Sequence, residues 1–218
     1  MSDLMVELER VRREVGTAAV PAGQGHLVEL RRVCEAAVED VWDACTVPDR
    51  VGRWFLPLTG ELRLGGRYQL EGNAGGEITQ CEPPRRLALT WEFGDDVGLV
   101  TLDLAPLHDG TTELRLRHAV PDDEHWARYG PGAIGVGWDV TLLGLAAFVR
   151  TGEPAFGAEA LGSEPMLGLM RRSALAWEAA HEASGASPTT AREAAAQTSA
   201  AYAPDPHGTP GDAHGTAG

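Results

Sequence analysis

The stretch Val41 to Phe55, VWDACTVPDRVGRWF, decides the fold. Ala37 to Thr46 places Val38, Val41, Trp42 and Cys45 on one face, at the i, i+3, i+4, i+7 spacing of an amphipathic helix. Pro48 ends that helix, because a proline ring cannot continue the hydrogen-bond ladder. Asp49 to Trp54 then forms a second short turn that carries Trp54 and Phe55 back toward the flanking segments. Those flanks read as strands: Leu27 to Cys34 before, and a run of hairpins from Gly60 to His118 after. A long apolar helical segment, Gly132 to Arg150, follows. This order predicts an α+β protein in which a curved antiparallel sheet is wrapped around one long helix.

Strand signals separated by turn residues run over Gly60 to Leu64, Gly66 to Leu70, Gly76 to Cys81, Arg86 to Phe93, Gly98 to Leu104 and Thr112 to His118. Leu87, Leu89, Trp91 and Phe93 share one face of their strand, as do Val100, Leu102 and Leu104, and Leu114, Leu116 and His118. Period-two alternation belongs to a sheet with one buried and one wet face. Turns are expected at Gly65-Gly66, Asn73 to Gly76, Asp95-Asp96 and Asp109-Gly110.

Before the strands, Leu4, Leu8, Val11 and Val15 recur at helical spacing, and Gly16 to Gly25 reads as a linker. Residues 1–25 are therefore expected as an N-terminal helix and linker, and the helix leaves a homodimer open. The main domain is expected over 26–152. Its last helix is apolar all round, so one side faces the sheet and the other needs a second cover. Glu164 to Ala183, with Met166, Leu167, Met170, Ala174 and Trp177, supplies it, and Ser187-Pro188 starts a further helix to about Tyr202. Residues 153–203 thus form a helical extension, and the Pro, Gly, His and Thr of 204–218 predict a disordered tail. In Gly132 to Gly137, GAIGVG lacks dinucleotide-loop order, and its glycines are expected to let the helix start approach the sheet.

Composition narrows the function classes. The net charge of −14 repels phosphates and anionic head groups, which argues against nucleic acid as a partner. The longest near-continuous apolar run, Val140 to Val149, is shorter than the roughly 18 residues of a membrane span. The N-terminus has acidic residues where an export signal would be basic, and the three cysteines lack metal or redox spacing. A cytoplasmic location is expected. All 18 basic residues are arginine, which removes Schiff-base and P-loop chemistry, since both need a lysine amine.

Taken together, VWDACTVPDRVGRWF, LRLGGRYQLEGNAGGEITQCEPPRRLALTWEF, the Asp109-Gly110-Thr111-Thr112 hairpin before ELRLRH, and the helix start GVGWD resemble the SRPBCC, or START-like, superfamily. Within it the chain resembles the homologues of the activator of heat shock protein 90 ATPase, over about Leu27 to Arg150, and its terminal extensions resemble those of actinobacterial members. The resemblance implies a helix-grip fold, with two short helices closing one end and a long C-terminal helix over a hydrophobic cavity.

Alternation and that resemblance line the cavity with Trp54, Phe55, Tyr68, Leu70, Ile78, Leu89, Trp91, Leu102, Leu116, His118, Trp138, Leu142 and Leu145. His118 continues an inward face and brings an imidazole, and Tyr68 offers a phenol. His125, Trp126 and Tyr129 lie in a loop that could serve as a lid. No catalytic residue, cofactor or metal site is read. Glu77, Glu92, Asp103 and Asp139 fall on outward positions, no nucleophile elbow is present, and His118, Asp122 and His125 have loose ligand spacing. The leading expectation is noncatalytic binding of a small hydrophobic molecule, lipid or polyketide-like. A cyclase or aromatase acting through His118 and Tyr68 is a second reading, and an interaction protein is a third. The separate N-terminal chaperone-binding domain of the eukaryotic activator is missing ahead of the resembling region, which speaks against ATPase stimulation and a chaperone partner.

Overall fold

The computed structural model describes residues 2–204, apart from the side chains at 2, 3 and 158. Helix α1 (Ser2–Glu9) precedes strands β1 (Arg12–Val20) and β2 (Gly23–Cys34). Helices α2 (Val38–Thr46) and α3 (Pro48–Trp54) come next. Six more strands follow: β3 (Leu58–Gly60), β4 (Arg67–Leu70), β5 (Gly75–Glu82), β6 (Arg86–Phe93), β7 (Asp96–Pro106) and β8 (Thr112–Pro121). The short α4 (Glu124–Tyr129) leads into α5 (Gly132–Thr151), and a single 3-10 turn separates it from α6 (Glu164–Ala183) and α7 (Pro188–Tyr202).

All eight strands form one antiparallel sheet in the order β1-β2-β8-β7-β6-β5-β4-β3. The connection between β2 and β3 is the α2–α3 pair, so the opening stretch is what sends the chain from one side of the sheet to its far edge. Val47 caps both helices: its N–H still bonds Asp43 O, and Pro48 then fills the first turn of α3, where no N–H is required. Inward residues alternate as expected on β6, β7 and β8, with Leu87, Leu89, Val100, Leu102, Leu104, Leu114 and Leu116 all buried. The outward face carries ionic ladders instead. Arg86 and Arg117 both donate to Asp103, each at 2.7 Å.

The N-terminus departs from expectation. Residues 1–25 are not a helix and linker: the helix stops at Glu9, and Arg12–Val20 pairs with β2 along its whole length. The spacing of Val11 and Val15 imitated a helical stripe, but the β-branched and small residues from Glu14 to Val20 suit a pleated edge strand, and Pro21-Ala22 makes the two-residue turn. The main domain consequently begins well before residue 26. Leu8 and Val11 are buried, and Leu4 and Met5 pack on the same core.

Smaller differences have local causes. Gly60–Leu64 is not a strand; β3 sits earlier, at Leu58–Gly60, and pairs with β4. The β6–β7 turn is Gly94-Asp95 rather than Asp95-Asp96, because Gly94 takes φ +62, which an aspartate adopts less readily. His125 to Tyr129 is helix rather than loop, with Asp123 capping it through a 2.8 Å bond from Trp126 N.

Helix α5 is covered on both sides. By length and composition it could cross a membrane, yet half of that span is buried inside the protein. Helix α6 packs on α5 and on β1, with Met166, Leu169, Met170, Ala174 and Trp177 buried, and α7 packs on α4, α5 and α6. Ser187 caps α7 by accepting from Thr190 N, with Pro188 in the first turn. The tail expected to be disordered lies, from residue 205, outside the described residues.

The α5–α6 seam holds a buried charge. Asp139 is not on an outward face: it is fully buried and accepts bonds from Arg13 Nε (3.0 Å), Arg13 Nη2 (2.9 Å), Ser173 Oγ (2.6 Å) and Trp177 Nε1 (3.0 Å). Burial pushes its carboxyl up, while Arg13, Ser173 and Trp177 pull the other way. Every group facing the two oxygens is a donor, so the pocket is built for the ionised form. The glycines at the helix start serve the packing of α6 and α7 and not of the sheet. A Cβ on Gly135 would lie 2.1 Å from the Trp177 ring, and one on Gly132 would lie 2.9 Å from Thr198 Oγ1.

Candidate functional site

Two hollows lie between the sheet and α5. The inner one, about 110 Å³, is closed below by Cys45, Val51 and Trp54 of the α2–α3 pair. Its sheet wall comes from Tyr68 and Leu70 of β4, Leu87, Leu89 and Trp91 of β6, Val100 and Leu102 of β7, and Leu114 and Leu116 of β8. Trp138, Thr141, Leu142 and Leu145 of α5 form the roof. This chamber is almost wholly apolar, as the alternation of the strands requires.

The outer hollow, about 550 Å³, opens where β6, β7 and β8 reach the start of α5. Phe93, Asp96 and Gly98 line it from the β6–β7 hairpin, and His118 and Val120 from β8. Asp123, His125 and Trp126 lie on the α4 side, and Ile134, Gly137 and Tyr202 on the α5–α7 side. Tyr202 is held there by a bond to Ala133 O. Phe55, Trp91, Trp138 and Thr141 belong to both walls and so form the partition between the chambers.

Two of the partition rings, Trp91 and Trp138, pack against His118 of the outer wall. Trp91 and Trp138 have centroids 5.2 Å apart, Trp91 and His118 5.7 Å, and His118 and Trp138 6.0 Å, all tilted or edge-on. Trp138 Nε1 donates to His118 Nδ1 at 3.1 Å. A neutral imidazole that accepts at Nδ1 carries its hydrogen on Nε2, and His118 Nε2 is buried with no partner among the described residues. Burial lowers the His118 pKa to about 4, so the ring is neutral near pH 7.

The expected lining divides between the two spaces. Trp54, Tyr68, Leu70, Leu89, Leu102, Leu116, Leu142 and Leu145 are in the inner wall, Phe55, Trp91 and Trp138 are in the partition, and His118 faces the outer chamber. Ile78 is fully buried in β5 and lines neither. The polar tips expected to meet a ligand are largely engaged: Tyr68 Oη donates to Thr90 O at 2.8 Å, and Trp54 Nε1 to Ala44 O at 2.9 Å. Burial raises the Tyr68 pKa, which keeps the phenol protonated. Of the loop residues expected as a lid, His125 and Trp126 border the outer chamber, whereas Tyr129 gives its carbonyl to Thr198. Among the described residues no group of three His, Cys, Asp or Glu side chains is placed to hold a metal ion.

Much of the outer chamber was not anticipated. Asp96 lies on a strand predicted to start two residues later, at Gly98, and Tyr202 comes from the end of a helix whose start alone was marked, by Ser187-Pro188. The signal for His118 was present in the period-two face, but its pairing with Trp138 joins residues on a strand and a helix whose relative rotation no local pattern fixes.

The family model for activator of Hsp90 ATPase homolog 1-like protein matches residues 35–150. Among solved structures, the crystal structure of CalU16 from Micromonospora echinospora is 35% identical, with a TM-score of 0.67 over 78% of this chain and 97% of that one. The solution structure of CalU16 gives 33% identity and a TM-score of 0.68 over 80% and 97%. That likeness runs past the span of the family model and so takes in part of the terminal elements. The MLL2253 protein of Mesorhizobium loti, at 24% identity and a TM-score of 0.52 over 57% of this chain and 98% of that one, shares the fold. No curated protein matches the chain.

Proposed function

The chain belongs to the activator of Hsp90 ATPase homolog 1-like family of helix-grip proteins, and from that premise we propose that it binds a small hydrophobic molecule, lipid or polyketide-like, without transforming it. The observation that carries the reading is the pair of hollows under α5. The outer chamber, at about 550 Å³, falls in the size range of small-molecule sites, roughly 300–1,000 Å³. The inner one extends it with a nearly unbroken apolar wall. An empty apolar hollow is costly to maintain, since its lining forgoes contacts that a packed core would make. A ligand restores them.

Binding is favoured over turnover because the polar groups a cyclase would use are occupied. Tyr68 is bonded to a backbone carbonyl, and the His118 nitrogen best placed as a base already accepts from Trp138. Free thiols at Cys34, Cys45 and Cys81 suit the cytoplasm as the setting.

Native mass spectrometry of the purified protein, before and after organic extraction, is the direct test. The expected result is a bound mass of small-molecule size that extraction removes, after which the protein takes up Nile red with saturation at one site. Absence of both the bound mass and the dye uptake would sink the proposal.

A further inference from the structure

Against the partition, in the outer wall, lies one polar atom whose bonding is incomplete. His118 is 5% exposed, its Nδ1 is filled by Trp138, and its Nε2 has no acceptor among the described residues. A buried donor left unpaired costs free energy, so such an atom calls for an explanation. Its surroundings supply one. Gly98 stands opposite Trp91 on the neighbouring strand, and a Cβ there would lie 2.8 Å from His118 Nε2. The missing side chain is what lets the His118 and Trp91 rings meet over β7 and leaves the donor unobstructed by Gly98.

Charge narrows what can approach. Asp96 and Asp123 are in the outer wall and no arginine is, in a chain that has no lysine. A carboxylate or phosphate would find two like charges there and no fixed cation to neutralise it. The flat surfaces of Trp91, Trp138, Phe55 and Trp126 favour an aromatic or otherwise planar body. A carbonyl suits the partition better than a hydroxyl, since it brings an acceptor and no further donor to a place walled by indole and imidazole edges.

We infer that the outer chamber takes an uncharged ligand with a flat apolar body and a carbonyl oxygen, and that this oxygen accepts the hydrogen bond of His118 Nε2–H at the partition. This rests on the cavity-binding reading and gives it a ligand class: neutral planar ketones or quinone-like compounds rather than fatty acids or phospholipids. The neutral state of His118 near pH 7 agrees with a donor that carries no charge. Trp91 is the ring that must give way as the oxygen arrives, because it packs against His118 at the boundary of the two chambers.

Three probes of one shape test this by titration calorimetry on the full chain: 2-acetylnaphthalene, 2-isopropylnaphthalene and 2-naphthoate. The ketone is expected to bind about tenfold more tightly than the hydrocarbon, the scale of one buried hydrogen bond, and the carboxylate no better than the hydrocarbon. In His118→Phe the advantage of the ketone disappears while hydrocarbon affinity is kept. Should that variant fail to fold, nitrogen-15 spectra of the histidine-labelled natural chain decide: the His118 Nε2 resonance moves with the ketone and not with the hydrocarbon. Equal affinity for ketone and hydrocarbon, preference for the carboxylate, or an unmoved resonance overturns the inference while leaving cavity binding intact. Failure of all three probes to bind overturns the inference, and Nile red uptake by the same sample then decides whether cavity binding falls with it.

Discussion

Trp138 and Asp139 are neighbours on α5, yet they look into opposite kinds of interior. Trp138 faces the sheet, where two hollows persist and one imidazole donor has no acceptor among the described residues. Asp139 faces α6 and β1, where its two oxygens receive four hydrogen bonds. Along the same stripe Gly135 is so close to Trp177 that no side chain fits. One face of the helix is filled and polar-satisfied; the other is hollow and polar-deficient. The difference assigns labour. The terminal elements fix α5 in place so that its other face can stay underpacked without collapsing onto the sheet.

The sharpest way to break that division is to remove the charge that fixes the helix. Asp139→Ala strands Arg13, whose side chain is nearly buried, and leaves the Ser173 and Trp177 donors unpaired. Loss of one partner of a buried ion pair costs about 3–5 kcal/mol, and Arg13→Ala should cost a similar amount from the other side. Urea unfolding followed by tryptophan fluorescence measures both. A double variant less destabilised than the sum would show that the two residues act as one unit. A cost below about 1 kcal/mol would return Asp139 to the class of surface charges.

The hollow side answers to acid instead. His118 titrates near pH 4 in the folded chain because burial disfavours its cation, against 6.5 for an ordinary histidine. Between those values the unfolded chain holds the extra proton, so stability rises with pH and is lost as pH falls from about 6.5 toward 4. The full shift is worth about 3 kcal/mol. The measurement is the urea midpoint at a series of pH values, and His118→Phe should flatten the profile in that window. An unchanged slope in the variant would mean that other groups carry the acid sensitivity.

Gly135→Ala tests how full the packed face is. Alanine in a helix interior is ordinarily better than glycine by about 1 kcal/mol. Here the new methyl would overlap the Trp177 ring, whose indole is tied to Asp139, so the ring cannot swing away without breaking that bond. Overpacking of this kind costs about 1–3 kcal/mol, and the variant is expected to melt below the natural chain.

The contrast between the two faces was only partly legible in the sequence. Period-two alternation on β6, β7 and β8 and the helix-break-helix of Val41 to Phe55 are local patterns, and they placed the sheet, the grip and most of the inner wall. The glycines at 132 to 137 announced a close approach but not its partner, since the approach is to Trp177 and Thr198, tens of residues away. Asp139 read as solvent-facing because a lone carboxylate on a helix normally is. Its true partner, Arg13, sits on a strand that imitated a helix, so the pairing was hidden at both ends. Ile78 shares the face of its partner Leu89, yet it is fully buried and reaches neither hollow, since alternation fixes the face of a residue and not where along the sheet a hollow ends.

The smallest expected effect is the most telling about the cavity. Leu116→Phe enlarges a residue that lines the inner chamber, next to about 110 Å³ of open space. In a filled core that change forces neighbours aside at about 1–3 kcal/mol. Here the ring has somewhere to go, and the contacts it gains with Leu102, Leu142 and Trp138 offset the rotamer it loses, so the urea midpoint should stay within about 1 kcal/mol of the natural chain. Uptake of Nile red should drop, because the added ring occupies the space the dye needs. The comparison with Gly135→Ala is then the decisive one. A phenyl ring tolerated on the sheet side, and a single methyl refused on the other, would establish the two faces of α5 as different in packing and not merely in polarity. If the phenylalanine costs more than the alanine, the hollow is not available to a side chain, and still less to a ligand.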